Sequence, residues 1–399
     1  MSATETQVII VGGGVAGSSL ACALAHKGIH SILFERSKNS RDLNRGDGLQ
    51  PRSLEIMETW GVLKAFIEAG AIPSYGNEVH HPVFGKLLEV DLGIVNTQYP
   101  YMLNLPHPQI EELLAAHAQN SGYCQILYGD VKQVLFENNQ AIGVRSVVNG
   151  EEIVIKAPVV AGADGSKSFL RKYAEIETTF EPYDHDMIVL HTKRPHWFTG
   201  RFRTKVFLHQ EGPVVLLPLP GNKIRVVCLI KGKTGGKWMA LSKSELQRQL
   251  IRRLPNLADV ELEQHGEHIY RIQKMHAKQY ANKGIVLLGD AAHVTHPAAG
   301  QGMNMALQDA EILAKQLQRA FSAECSLDNA YATYESIRRP LNQNVINRAH
   351  YMAWLIWSPS ILGFVDRTFR MATLRFLFPF KYQQLTQSLA WGISGIQQP

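Results

Sequence analysis

Two stretches of this chain carry residues at spacings that handle a phosphorylated ligand. One is Gly12-x-Gly14-x-x-Gly17. The other is Gly289-Asp290, followed by Pro297, Gly300, Gln301, Gly302, Met303 and Asn304. Glycines at the first spacing let a chain turn tightly, bring its backbone against a pyrophosphate and pack a helix closely on a strand. Glu35 stands 18 residues after Gly17, where a carboxylate accepts hydrogen bonds from ribose hydroxyls, and Arg36 follows it in the candidate set. Asp290 suits a sugar-alcohol hydroxyl. The backbone N–H groups of Gly302, Met303 and Asn304, at a helix start, suit negative charge on a ring.

The elements that must position these residues are legible around them. Val8-Ile9-Ile10-Val11 is a continuous apolar run, as in a parallel strand buried on both faces. A helix pattern starts near Val15, with Leu20, Ala23, Leu24 and Lys27 at helical spacing, and Gly28 ends it. Ser31 to Phe34 reads as a second strand closed by Glu35. Gly284 to Asp290 is another apolar strand ending in an acid. After a loop, a helix opens near Gly302, with Ala306, Ala310, Leu313, Leu317 and Ala320 on its buried face. Together the two motifs describe a chain that folds back on both ends of one long dinucleotide. A nicotinamide needs no support for a charged reduced ring, so the reading favours FAD as the resident ligand. No second dinucleotide fingerprint appears. Lys231 to Gly236 is glycine-rich without a strand–helix pattern and reads as a mobile loop.

On these motifs the chain resembles the group A FAD-dependent monooxygenases, which have the p-hydroxybenzoate hydroxylase fold, over roughly residues 7 to 340. Arg45-Gly46 matches the family's arginine and following glycine. Ala163-Asp164-Gly165, with Arg171 after it, matches the middle Asp-Gly motif, and Gly289-Asp290 the terminal one. The run His296 to Asn304 is most similar to ubiquinone-pathway hydroxylases and alkylquinolone-pathway monooxygenases. One position departs: His107 stands where the family usually has Arg or Gln against FAD, with Gln109 as the alternative alignment.

The resemblance implies FAD as cofactor, NAD(P)H as a transient donor, and O2. One oxygen atom would enter a lipophilic aromatic, quinolone or prenylated substrate, by hydroxylation or epoxidation through a flavin C4a-hydroperoxide. It assigns cofactor contact to Gly12, Gly14, Gly17, Glu35, Arg36, Arg45, His107, Asp164, Gly165, Gly289, Asp290, Pro297 and residues 300–304. No catalytic side chain is assigned. His185, His191 and His209 lie in the substrate region, but each reads more readily as a satisfied structural histidine. Two alternatives of the same fold are a reductase of prenyl-chain double bonds and a non-catalytic prenyl-binding protein. A halogenase is disfavoured, because Trp354-x-x-Trp357 does not match the tryptophan motif of that class.

The expected fold is α/β. A Rossmann-like FAD-binding domain is built from 1–75, 101–180 and 272–340, a mostly antiparallel substrate sheet from 76–100 and 181–271, and a helical segment from 341–399. The 399 residues are 45% hydrophobic, enough for two domains. A net charge of +6 suits anionic cofactors and lipid headgroups and is too mild for nucleic acid, for which no basic-aromatic stripe is present. Four scattered cysteines and sixteen histidines show no disulfide framework and no metal spacing. No signal peptide is read, so a reducing, cytoplasmic compartment is expected. The run from Tyr351 to Val365 is uncharged, and Arg367, Arg370, Arg375 and Lys381 then alternate with phenylalanines. Broken by Pro359, the run is too short to span a bilayer. Three readings stay open for this tail: peripheral membrane contact, packing on its own core, and a homodimer interface.

Overall fold

The computed structural model describes residues 4–38, 46–262, 268–358 and 360–395. Val8–Val11 is buried along its whole length because it lies mid-sheet. It runs parallel to Ser31–Glu35 on one side and to Val159–Gly162 on the other, with Ile10 opposite Leu33 and Ala161. Cys124–Glu137 and Ile285–Leu287 extend this parallel group outward. Antiparallel strands Gln140–Val148, Glu151–Lys156 and Ala281–Asn282, with the short Thr4–Glu5, complete nine strands. Parallel neighbours need a crossover. Between the first two long strands it is the helix Val15–His26, against which Gly302–Phe321 and His107–Asn120 pack.

A second sheet of eight strands is ordered His293–Val294, His268–Ala277, Thr178–Lys193, Lys223–Lys231, Val214–Leu219, Thr204–Phe207, Gly76–His81, Gly85–Asp91. Its period-two alternation separates two faces. Ile224, Val226, Cys228 and Ile230 join a core with Leu246 and Leu250 of the helix Lys243–Arg253. Val227 and Leu229 turn the other way, with Met187, Val189, Ile272 and Trp357. The glycine-rich stretch expected to be a mobile loop is a turn into the short helix Gly235–Met239. Gly235 sits so close to Ile269 that a Cβ there would lie 2.7 Å from its Cδ1, which pins the segment.

A small sheet of Gly48–Leu49, Met102–Asn104 and Ile72–Ser74 lies between the large ones, and Asn104 Nδ2 donates to Pro218 O at 2.9 Å. The helix Leu327–Ile356 runs through Pro340, so the boundary expected at residue 340 falls inside a helix. Helices Ile361–Leu377 and Pro379–Ser394 follow. Ala390 and Ile393 of the last pack on Val90, Leu92, Val95 and Met102, so part of the tail does cover its own core. Among the described residues, no helix is long and apolar enough to cross a membrane.

Candidate functional site

Gly12 leaves the first strand with φ +106°, and a Cβ on it would lie 2.4 Å from Ala163 O. A Cβ on Gly17 would lie 1.9 Å from Gly12 O, so helix and strand approach only because neither residue has a side chain. Gly13, which the spacing argument passes over, donates its N–H to Glu35 Oε2 at 2.7 Å, and Ser37 N donates to Oε1 at 3.2 Å. The two bonds orient Glu35 at the strand end while each oxygen keeps a second lone pair. Arg36 is exposed beside it, and Arg45 lies outside the described residues.

Ala163 N donates to Val11 O, which sets the middle loop against the first. Asp164 caps the short helix Phe169–Tyr173. Oδ2 accepts from Phe169 N at 2.7 Å and Leu170 N at 3.0 Å, and Oδ1 from Ser168 Oγ at 2.6 Å. Its carboxylate therefore shapes the loop that presents Gly165. Arg171 donates to Ser166 O and to Ala291 O, both at 2.8 Å, and ties this loop to the Gly289 turn.

The Gly289 turn rests on a buried charge network that sequence reasoning missed. Asp309 is fully buried. It accepts from Gly289 N at 3.2 Å, Arg338 Nε at 2.8 Å and Asn342 Nδ2 at 3.0 Å, and lies 2.5 Å from His293 Nε2. Burial alone would raise its pKa. The His293 and Arg338 charges outweigh that and hold it well below the carboxylate range. A sequence signal existed: Asp309 is three residues after Ala306 and four before Leu313, on the stripe expected to be buried. Asp290 itself is half-buried in the turn Gly289–Ala291.

The loop from His296 to Gly300 is held from the second sheet. His296 Nδ1 accepts from Ala298 N at 3.0 Å, so its Nε2–H donates to His185 Nε2 at 2.8 Å. His185 then carries its proton on Nδ1, 2.7 Å from Asp184 Oδ1, which also accepts from Trp357 Nε1 at 3.0 Å. Burial, then the neighbouring His185 and His350, push His296 down to about 3. Both nitrogens of His185 are thus engaged. His191 Nε2 accepts from Arg225 Nε at 3.3 Å, and Arg225 pairs with the buried Asp47 at 2.9 Å. His209 Nδ1 accepts from Glu211 N.

Asn304 makes four bonds. Its Oδ1 accepts from Gln50 N at 2.8 Å and Ser53 Oγ at 2.7 Å, and its Nδ2 donates to Gly48 O and Gly300 O, both at 2.9 Å. Gln301 Nε2 reaches Gly392 O and Ile393 O at 3.4 Å, joining this loop to the last helix. Met303 packs on the main core beside the exposed Pro297 and Gly300. His107 Nδ1 lies 3.1 Å from Gly46 O and Nε2 3.2 Å from Glu111, while its N–H donates to Asp47 at 3.2 Å. Its ring holds the Gly46–Asp47 turn. Gln109 is exposed.

These residues fit a flavin dinucleotide by their placement. Ser168, Ser242, Ser326 and Ser360 each cap a helix with a side-chain oxygen. Helices Val15–His26 and Gly302–Phe321 open with no such cap, as do Pro51–Trp60, Leu63–Glu68, His107–Asn120, Gly235–Met239 and Pro379–Ser394; the first two are the ones that open at the two glycine motifs, with first-turn N–H groups that a helix cannot satisfy itself. A Cβ on Gly165 or Gly300 would meet nothing within 4 Å. Two open helix starts, with Glu35 and Asp290 part-exposed beside them, match a ligand with phosphates and hydroxyls.

Comparison with known proteins bears on the same motifs. YhjG of Bacillus subtilis, named as an aromatic compound monooxygenase, is 29% identical over 364 residues, 88% of this chain and 68% of that protein. Ubiquinone hydroxylase UbiL of Rhodospirillum rubrum is 27% identical over 366 residues, covering 84% and 78%. The structure of Pseudomonas aeruginosa PqsL with 2-aminobenzoylacetate has a TM-score of 0.80 at 24% identity, covering 93% and 100%, and so shares the fold. The FAD binding domain family matches residues 5–349, a span that takes in both glycine motifs and the Asp164 loop, and the chain belongs to that family.

Proposed function

We propose that this FAD-dependent monooxygenase takes electrons from NAD(P)H and inserts one oxygen atom from O2 into a lipophilic aromatic compound. The observation that carries the substrate class is the apolar sheet face of Met187, Val189, Val227, Leu229 and Ile272, which Trp357 covers and whose edge is the partly buried Val215, Leu217 and Tyr270. Arg225, on that face by alternation, pairs with Asp47 next to the Gly48 strand, so the face looks toward the cofactor loops. A ring would be held there by contact area rather than by charge, and water kept away. The named activities of YhjG and UbiL, on an aromatic compound and on ubiquinone, support the same class.

In this reading the Gly12–Gly17 turn and the helix start behind it take the pyrophosphate, and Glu35 the ribose. Asp290 takes the ribityl hydroxyls. The N–H groups of Gly302, Met303 and Asn304 would hold the flavin ring, where the helix dipole favours negative charge. Bound FAD supplies the redox chemistry, relaying electrons from NAD(P)H to O2. The chain's part is positional. Asp164, His107 and Asn304 brace the loops, and the neutral His185–His296 pair fixes the Pro297 turn. A peripheral position on a membrane suits such a substrate.

The test is product mass under isotopically heavy O2, with FAD, NAD(P)H and a panel of prenylated phenols, quinolones and polycyclic phenols. One heavy oxygen per product is expected. Reductant consumption giving a product heavier only by two hydrogens would replace the reading with a reductase.

A further inference from the structure

We infer that the turn between helices Ile361–Leu377 and Pro379–Ser394 docks the protein on an anionic lipid surface. Helix Ile361–Leu377 has two apolar sides, and the protein covers one. Phe364, Met371 and Ala372 pack on Val79 and Leu87 of the second sheet and on Leu208 just beyond it. Leu362, Val365, Phe369 and Phe376, spaced three, four and seven residues apart, form a neighbouring stripe that is 84%, 56%, 67% and 58% exposed. At the turn, Leu377 and Phe380 are each 70% exposed, and Phe378 49%. Scattered exposed apolar residues need no explanation, but a contiguous stripe ending in an aromatic turn marks an interaction surface.

Charge selects the partner. Residues 351–399 hold Arg367, Arg370, Arg375 and Lys381 against one acid, Asp366. The cations sit on the aromatic rings: Arg375 over Phe376 at 5.7 Å, Lys381 over Phe378 at 5.5 Å and Arg367 over the exposed Trp354 at 4.5 Å. Aromatic rings with cations at their edges suit the boundary between acyl chains and anionic headgroups. A second copy of the chain fits worse, because a two-fold self-contact sets cation against cation. The last helix leads from this turn to the carbonyls bonded by Gln301, and its 16 residues span roughly 24 Å. Docking would therefore hold the cofactor loop one helix length from the lipid. This inference does not depend on the substrate.

The test is flotation of the purified FAD-loaded protein with phosphatidylcholine vesicles, with and without phosphatidylglycerol. Co-flotation with the anionic vesicles only, weakening as salt rises, is expected. The double variant Leu377→Ser/Phe380→Ser should lower binding about tenfold or more, and Arg375→Gln/Lys381→Gln should weaken the salt dependence. Each should keep the parent's flavin absorbance and melting temperature, since all four side chains reach the surface. No flotation, flotation indifferent to both variants, or a dimer in light scattering that the serine variants dissociate would overturn the proposal.

Discussion

The two loops that meet at the cofactor site are held in opposite ways. At Gly12 and Gly17 the closest neighbours are backbone atoms: Ala163 O against Gly12, and Gly12 O against Gly17. Around Gly289–Asn304 they are buried polar side chains: Asp309 with Arg338, Asn342 and His293, and, apart from it, His296 with His185 and Asn304 with Ser53. The first loop depends on side chains being absent, the second on their being present and paired. A backbone-held loop tolerates almost no addition. A side-chain-held loop tolerates almost no deletion, and its stability follows protonation.

The comparison can be broken most forcefully at Arg338. Arg338→Met leaves Asp309 buried with one cation fewer, and stability should fall by about 3–5 kcal/mol in a thermal melt. A melt equal to the parent's would mean that the network does not hold the second loop. Gly17→Ala comes next. Its Cβ must displace the Gly12 carbonyl, at about 1–3 kcal/mol, and flavin should be lost on gel filtration. Retention of flavin would show that the first loop yields more than its contacts indicate.

Acid sharpens the contrast. The pKa of His296 is about 3 in the fold against 6.5 for an ordinary histidine, so the unfolded chain takes the proton first. Its contribution is whole above pH 6.5 and declines as pH falls toward 3, by at most about 1.4 kcal/mol per pH unit. Asp309, lowered below 3.8, loses its share in the same direction further down. Melting temperature against pH should show this decline, and His296→Asn should flatten it. The smallest effect is at Glu35. Glu35→Gln keeps the shape and removes the charge, so FAD should bind more weakly by about 0.5–1.5 kcal/mol, read by flavin fluorescence titration, with the melt of the cofactor-free protein nearly unchanged.

What could be read from the sequence follows the same division. Gly12, Gly17 and Glu35 were visible because a strand, a turn and a helix lie within a short stretch, and the glycines are dictated by local backbone. The strands Val8–Val11 and Ser31–Glu35 and the helix Gly302–Phe321 announced themselves by their apolar period. Asp309 left one mark, an acid on an apolar stripe, but its partners Arg338 and Asn342 left none, because a pairing between two helices is not written in either alone. The motif places His107 at the ligand, and what the sequence does not carry is its ring orientation, which brings the ring to Gly46 and Glu111. The role of the tail was undecided for a related reason: exposure is a property of the fold, and only there does Phe380 differ from Ile393.

Asn304 and Gly48, bonded to each other, are 256 residues apart, and Gln301 meets a carbonyl another 91 residues on. At typical ribosomal speeds Gly48 waits on the order of tens of seconds for Asn304 to be made. During that interval the strand Val8–Val11 has a neighbour on one side only until Val159–Gly162 arrives. The Gly300–Asn304 loop is therefore braced on both sides only once residues 48 and 393 are both in place.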